Sequence, residues 1–459
     1  MSSVSIRSPP TTSLAAEMQG EPDRPRDTPF TSGHTMKPIN ERDKQVKIRT
    51  PFNPWFICAV CFCVMAVDGF DTAAIAYVAP TLTQLWHLPH AAMTPAFVAT
   101  SAGAVLGYVA SGAVARRMQK RTLILLAMVA FGGFSLLTVV ATGTTSIAIL
   151  RFLTTICLGM VVPAAISIAA DSASDHARAS ATIAATTGLS AGAALGGLVS
   201  QRLIAGYGWE AVFVAGGIVP VLLLPIVWYV LPHKQLPTGT GNAERYVTDN
   251  PSWLKEIKGL FAPGLLSATI TVWLVAFFGF LVNYLFVFWT PMLLLSFGFS
   301  ASNAPLGAAA NALGGIAGNI LLFALATRFG VQRSLIVTLS IAMLCIIGFQ
   351  VDGLGRSAVL LLIFGVGVGT ISACVAQSAL AAVLYPAALR TTSVGNAAAI
   401  GRVGSIMGPS AGGILISLGV SAQHIVLLTC IPLSIIAIVV LVSQMQTSGR
   451  NKTLELKGS

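Results

Sequence analysis

The chain has 459 residues, of which 55% are hydrophobic and only 9% are charged, and its mean hydropathy is +0.80. A soluble protein carries roughly a quarter charged residues, so this composition excludes soluble, disulfide-stapled and disordered classes and indicates a membrane protein. The net charge of +11 does not indicate a nucleic-acid partner, because the basic residues lie between long apolar segments.

Twelve apolar segments follow one another along the chain, each about as long as a helix that crosses a lipid bilayer. They lie at residues 55–78, 94–115, 123–142, 145–170, 181–201, 211–231, 266–290, 304–326, 335–351, 358–384, 393–418 and 423–443. Runs of this length differ from the short alternating segments of an outer-membrane barrel. The sequence therefore predicts an all-α membrane protein with twelve transmembrane helices.

The polar stretches divide the chain into five parts. We expect a disordered cytosolic tail at 1–53, a six-helix half at 54–231, a cytosolic linker at 232–265, a second half at 266–443 and a cytosolic tail at 444–459. Most of the 27 Lys and Arg residues fall on the side of the amino terminus. Positive charge marks the cytoplasmic side of a membrane protein, so both termini are predicted to be cytoplasmic.

One glycine pattern occurs twice in the chain, and the two copies are 216 residues apart. The pattern GxxxGxxxGG spans residues 188–197 and again residues 404–413. One GxxxG is common where membrane helices pack closely, but four glycines in the same register in both halves indicate a duplicated unit. Two pseudo-symmetric six-helix halves with a site between them are the architecture of many secondary transporters.

Two carboxylates in the first apolar segment, Asp68 and Asp71, are three residues apart, which predicts that they share one helix face. Charges inside a bilayer cost a few kcal/mol, so they need partners and usually mark function. Two neighbouring carboxylates can exchange protons near neutral pH, and we expect this pair to couple transport to protons. The alternative is that one of them only neutralises an arginine.

Two arginines are also embedded in apolar segments. Arg402 has small neighbours, and its planar guanidinium suits a bidentate contact with a carboxylate, so we expect it to bind an anionic substrate. Arg151 opens the fourth segment, where it either contributes to substrate binding or extends towards the nearer membrane surface.

The seventh segment is rich in aromatic residues. Phe277, Tyr284 and Phe288 have helical spacing and could stack on a planar ligand, and Tyr284 also offers a hydroxyl group. The alternative is ordinary packing against lipid or neighbouring helices. The remaining uncharged polar candidates for substrate binding are Gln377, Asn283 and Asn311.

Several chemistries have no support in the sequence. It contains no GxxxxGK[ST] phosphate loop and no HExxH motif, and its six histidines do not cluster. Cys58 and Cys61 form a lone CxxC in an apolar segment, which we attribute to packing. We therefore expect no enzyme activity, no cofactor and no metal site.

Three motifs then resemble those of one family. They are Asp68-Gly69-Phe70-Asp71, Arg151-Phe152-Leu153-Thr154, and the stretch from Tyr385-Pro386 through Arg390 to Gly401-Arg402. The chain resembles the major facilitator superfamily and, within it, the aromatic acid/proton symporters. The resemblance implies proton-coupled uptake of aromatic carboxylates such as hydroxybenzoates. It also implies that the aspartates of the first helix and the arginines Arg151, Arg390 and Arg402 are functional.

The chain departs from that family in the loop between helices two and three. Arg116 stands where the superfamily has an aspartate, and the second copy of the motif has Thr327 at that place. We therefore assign Arg116, Arg117, Arg328 and Arg390 to gating. The departure keeps open the alternative of a membrane receptor that binds the same ligand with little transport. The predicted partners are a small aromatic carboxylate, protons and the bilayer, with a monomer as the expectation.

Overall fold

The structure is a computed structural model that describes residues 53–174, 177–232, 259–262, 265–351 and 353–458. The predicted amino-terminal tail, apart from its last residue, lies outside the described residues. So does most of the predicted linker at 232–265.

The described chain is built from α-helices. The first half contains α1 (Pro54–Leu85), α2 (Thr94–Ala115), α3 (Lys120–Thr138), α4 (Thr144–Ser172), α5 (Arg178–Tyr207) and α6 (Glu210–Val230). The second half contains α7 (Leu266–Ser296), α8 (Pro305–Phe329), α9 (Val331–Gly348), α10 (Arg356–Leu384), α11 (Ala387–Ser417), α12 (Ala422–Leu428) and α13 (Cys430–Gly458).

Twelve spans in the described part of the chain are long and apolar enough to cross a membrane, which confirms the predicted fold class. The twelfth span consists of α12 and the first part of α13. The break between them at Thr429 follows from Pro432, which lacks an N–H and whose ring would clash with the carbonyl of Leu428 in a continuous helix. Helix α13 continues to Gly458, where the sequence predicted a tail from residue 444.

The repeated glycines bring equivalent helices into close contact in both halves. A Cβ atom on Gly192 of α5 would overlap the carbonyl of Ala66 in α1, and one on Gly408 of α11 would overlap the carbonyl of Leu281 in α7. Only glycine allows two helix backbones to approach this closely. The α1–α5 and α7–α11 pairs are therefore copies of one packing unit, as the sequence repeat predicted.

The two halves are joined at one end of the helix bundle. We call the ends the α1-start face and the α1-end face, after the positions where α1 begins and ends. At the α1-end face, Gln201 Nε2 donates a hydrogen bond of 2.9 Å to Asn303 Oδ1, and Thr83 Oγ1 lies 3.9 Å from Met292 Sδ. Each contact links the first half to the second.

Candidate functional site

A cavity of about 300 Å³ lies between the two halves. The first half lines it with side chains from α1, α2, α4 and α5, and the second half with side chains from α7, α8, α10 and α11. Five of the residues singled out from the sequence line this cavity, namely Asp68, Tyr284 and Arg402 and the uncharged candidates Asn283 and Asn311. The structure thus brings together an acid, an arginine and a tyrosine from three different helices.

Asp68 is the acidic group of the cavity. Its side chain is 4% exposed, and Thr72 Oγ1, one turn further along α1, donates a hydrogen bond of 3.2 Å to Asp68 Oδ1. The neighbouring Gly69 lets α5 pass close by, because a Cβ there would overlap the carbonyl of Leu189. This close approach fixes α1 at the depth where it presents Asp68 to the cavity.

Asp71 has a different environment. Its carboxylate forms an ion pair with Arg151, with 3.0 Å between Asp71 Oδ2 and Arg151 Nη2, and both side chains are fully buried. Ser135 Oγ donates a hydrogen bond of 2.9 Å to Asp71 Oδ1, and the Arg151 guanidinium carbon lies 5.7 Å from the centre of the Phe213 ring. Neither member of the pair is among the residues that line the cavity.

These positions revise two expectations from the sequence. Three residues along a helix leave two side chains about 60° apart, which is enough for each aspartate to meet different neighbours. Asp68 therefore faces the cavity while Asp71 faces α3 and α4. Arg151 neither reaches the membrane surface nor lines the cavity, because Asp71 holds its guanidinium inside the first half.

Arg402 lies among aromatic rings in the cavity wall. Its guanidinium carbon is 4.5 Å from the ring centre of Tyr108 and 5.8 Å from that of Phe280. Among the described residues it makes no salt bridge, in contrast to Arg151. Because no described carboxylate lies within salt-bridge distance of this guanidinium, its charge is available for a ligand carboxylate.

The aromatic wall differs from the set predicted from helical spacing. The rings of Phe280 and Tyr284 are stacked with centres 6.0 Å apart and planes 10° apart, and both residues line the cavity. Phe288 instead stacks on Phe97 and is fully buried, and Phe277 packs against its neighbour Phe278. Tyr284 is thus the only one of the three predicted rings that lines the cavity.

The polar residues of the cavity also differ from those predicted. Gln377 is buried, with 5% of its surface exposed, but it does not line the cavity. Asn283 and Asn311, which the sequence left as unspecific candidates, do line it, together with Asn319. Sequence reasoning missed Asn319 and Tyr108, because the sequence does not show which way each helix is turned and therefore which of its polar side chains line the cavity.

The residues assigned to gating lie far from the cavity. Arg116 and Arg117 are exposed just after the end of α2, and Arg328 is exposed near the end of α8 with its guanidinium 5.5 Å from the Phe329 ring. Arg390 is also exposed, and its Nε donates a hydrogen bond of 3.1 Å to the carbonyl of Tyr385. All four lie at the α1-start face.

One salt bridge lies beside the loop between α2 and α3. Lys120 Nζ lies 3.2 Å from Asp171 Oδ2 and 2.6 Å from Ser167 Oγ, so the start of α3 is tied to the end of α4. The pair lies within the first half and supplies a carboxylate near the place where the family's loop aspartate is missing. Asp175, a further acid in the segment that follows α4, lies outside the described residues.

Twelve spans in two similar halves around a central cavity are the architecture of many secondary transporters. The chain belongs to the Major Facilitator Superfamily, whose family model matches residues 61–395. The resemblance found in the sequence is thereby confirmed.

Within that superfamily, the chain is similar in sequence to several characterised transporters. The chain is 30% identical to a gallate transporter of Pseudomonas putida over 84% of its own length and 91% of the relative's. It is 28% identical to the 4-hydroxybenzoate transporter PcaK of the same organism, over 84% of its own length and 92% of the relative's. Both relatives are named as aromatic acid transporters.

Solved structures share the fold. The D-xylose-proton symporter superposes with a TM-score of 0.66 at 16% identity, covering 84% of this chain and 97% of that one. The inward open conformation of the xylose transporter XylE from E. coli gives a TM-score of 0.64 at 16% identity, with coverage of 84% and 95%. At this level of identity the likeness concerns the fold alone.

Proposed function

We propose that the protein is a secondary active transporter that takes up an aromatic carboxylate together with protons by alternating access. The observation that carries the proposal is the combination of Arg402, Asp68 and the stacked rings of Phe280 and Tyr284 around one cavity between the halves. The names of the curated relatives, which are transporters of gallate and of 4-hydroxybenzoate, support the same substrate class.

Arg402 supplies the substrate carboxylate with a binding partner. A guanidinium offers a planar fork of N–H groups that matches the two oxygens of a carboxylate. The guanidinium carbon lies 4.5 Å from the centre of the Tyr108 ring and 5.8 Å from that of Phe280, and the described residues offer it no salt-bridge partner. Next to it, the stacked rings of Phe280 and Tyr284 offer a flat apolar surface to an aromatic ring.

Asp68 is the proton-coupling group in this proposal. Its carboxylate lies in the cavity, where a proton can arrive and leave as the cavity opens to either side of the membrane. Asp71 is assigned a different role, since Arg151 already neutralises it inside the first half. The Asp71–Arg151 pair keeps the first half rigid, so that α1 presents Asp68 at a constant depth.

The contacts at the α1-end face support a state in which the cavity is closed on that side. We infer that the α1-start face is cytoplasmic, because Arg116, Arg117, Arg328 and Arg390 all lie there. In a bacterial inner membrane this orientation corresponds to an inward-facing state. The α1-end face would then open and the α1-start face close once in every transport cycle.

Uptake into proteoliposomes tests the proposal. Purified protein is reconstituted, and labelled 4-hydroxybenzoate or gallate is added outside while the external pH is lower than the internal pH. We expect accumulation above the external concentration that collapses when a protonophore is added. Binding without accumulation would instead identify a receptor.

Variants of Arg402 connect this activity to the cavity. Loss of a charge-assisted contact costs about 1.5–3 kcal/mol, so Arg402→Ala should bind the acid roughly ten- to a hundred-fold more weakly. Arg402→Lys should recover only part of this loss, because an ammonium group cannot form the fork. Arg202→Ala is the matched control, since Arg202 is an exposed arginine outside the cavity.

A further inference from the structure

Three carboxamides in the second half line the cavity, and their oxygen atoms have no hydrogen-bond partner among the described residues. Asn283 on α7 and both Asn311 and Asn319 on α8 line it, and the Oδ1 atom of each is buried and unpaired. Asn311 is only 2% exposed. Buried amide oxygens in proteins normally have a partner, so three unpaired ones in one cavity are available to hydrogen-bond a ligand.

The packing of α7 against α8 sets the depth of each amide. The two helices run antiparallel and meet near the α1-end face, where a Cβ atom on Gly307 would touch Thr290. With a rise of about 1.5 Å per residue, Asn311 lies about 6 Å from this contact along α8, and Asn319 lies about 18 Å from it. Asn283 lies about 10 Å from the same contact along α7.

Arg402 lies at the deeper end of this series. It contacts Phe280, which is about 15 Å from the same reference point along α7, at nearly the level of Asn319. Asn283 and Asn311 therefore lie between Arg402 and the α1-end face. A carboxylate bound to Arg402 would have Asn319 beside it, while an aromatic ring that extends along Phe280 and Tyr284 would point its far edge at Asn283 and Asn311.

We propose that Asn283 and Asn311 form a subsite for ring hydroxyl groups, which makes the protein selective for hydroxylated aromatic acids over unsubstituted benzoate. This inference rests on the proposed function, because it takes the carboxylate to be held at Arg402. It extends that function to the ring hydroxyl groups of the substrate, which Arg402 does not contact in this arrangement.

The chemistry of the two groups is complementary. A carboxamide carries both a donor and an acceptor, and a phenolic hydroxyl group can donate and accept as well, so they pair in either orientation of the amide. An unsubstituted ring leaves both amides unpaired after it has displaced the water around them. A site built to hydrogen-bond a hydroxyl group discriminates strongly against the analogue that lacks it.

The backbone of α8 keeps this subsite in place. A Cβ atom on Gly367 of α10 would overlap the backbone carbonyl of Asn311, so α10 is in direct contact with α8 at this level. Asn311 therefore cannot move away from a ligand by a shift of its helix towards α10.

Equilibrium binding to the purified full-length protein tests the subsite. Titration calorimetry compares benzoate, 3-hydroxybenzoate, 4-hydroxybenzoate and 3,4,5-trihydroxybenzoate. We expect the wild type to bind the best hydroxylated acid at least about tenfold more tightly than benzoate. Asn283→Leu and Asn311→Leu, which keep the volume but lack the amide, should reduce this ratio towards one while benzoate binds as before or more tightly.

Asn319→Leu is the matched control, because it removes an equivalent unpaired amide from the same helix at the depth of Arg402. It should weaken all four acids by a similar factor and leave the hydroxyl preference unchanged. Benzoate affinity reports correct folding of the Asn283 and Asn311 variants, and the melting temperature in detergent reports it for Asn319→Leu. If Asn311→Leu binds none of the acids, its hydroxyl preference cannot be measured. The preference is then measured in Asn311→Thr and Asn283→Leu instead.

Two results would overturn the subsite: equal affinity of the wild type for benzoate and all three hydroxylated acids, or an undiminished preference in both Leu variants. Failure of the proposed function gives a different pattern. In that case none of the four acids binds, or phenol, which has no carboxylate, binds as tightly as 4-hydroxybenzoate.

Discussion

The guanidinium carbon of Arg402 lies 4.5 Å from the centre of the Tyr108 ring, although the two residues belong to opposite halves of the protein. Arg402 is on α11 and Tyr108 is on α2. A cation over an aromatic ring gains about 0.5–1 kcal/mol at an exposed site and about 2 kcal/mol when it is desolvated. This contact therefore positions the proposed carboxylate-binding group and also joins the halves across the cavity.

Replacement of the Tyr108 ring should weaken substrate binding. In Tyr108→Leu the guanidinium loses one of the two rings that hold it, and we expect the affinity for an aromatic acid to fall by about two- to thirty-fold. Tyr108→Phe keeps the ring and should bind nearly as well as the wild type. Calorimetric titration of both variants measures the difference, and equal losses in the two would show that the hydroxyl group matters instead of the ring.

Asp68 should be required for coupling but not for movement of substrate. Asp68→Asn cannot release a proton, so we expect gradient-driven accumulation to be lost while exchange of labelled for unlabelled substrate across the membrane continues. Thr72→Val is the control, because it removes the hydrogen bond to Asp68 and keeps the carboxylate. Accumulation by Asp68→Asn against a concentration gradient would move the coupling site elsewhere.

The buried pair of Asp71 and Arg151 should contribute to stability. Removal of one partner leaves a buried charge without compensation, which costs about 3–5 kcal/mol, so Asp71→Asn should lower the melting temperature in detergent. The double variant Asp71→Leu with Arg151→Met removes both charges and should regain much of the loss. An unchanged melting temperature in Asp71→Asn would contradict this role, and Asp68→Asn provides the comparison.

The fold could be predicted from the sequence because its signals are local. Apolar segments of membrane length and a twice-occurring glycine pattern lie in continuous stretches of the chain, and the structure has the corresponding helices in contact. Three cavity residues, Asp68, Tyr284 and Arg402, were identifiable because ionisable and hydroxylated groups are conspicuous in apolar segments. Such groups are costly in a bilayer, which is why they stand out.

The partners of these residues could not be predicted, since partners depend on the rotation of each helix against its neighbours. The Asp71–Arg151 pair joins positions that are 80 residues apart, and a difference of 60° around α1 decides which aspartate forms it. A signal for Tyr108 and Asn319 was nevertheless present in the repeat. Gly107 and Gly318 lie 211 residues apart, close to the 216 residues that separate the two copies of the glycine pattern. Tyr108 and Asn319, which directly follow these two glycines, both line the cavity.

The α1-end face offers a test of alternating access at Gly197. A Cβ atom at this position of α5 would lie 2.6 Å from the carbonyl oxygen of Pro305 and 2.8 Å from the amide nitrogen of Ala309, both in the backbone of α8. Backbone atoms cannot rotate away as a side chain can. Gly197→Ala should therefore separate α5 from α8 and shift the population towards the state that is open at this face.

Gly206→Ala is the matched control, since Gly206 lies on the same helix and a Cβ atom there meets nothing within 4 Å. Spin labels at Tyr207 and Ser300, both exposed at the α1-end face and in opposite halves, report the separation in a background without native cysteines. Gly197→Ala should lengthen the distance distribution, because the closed state now contains a steric overlap that the open state lacks. Gly206→Ala should leave it as in the parent. If Gly197→Ala also leaves the distribution unchanged, the contact between α5 and α8 does not hold this face closed.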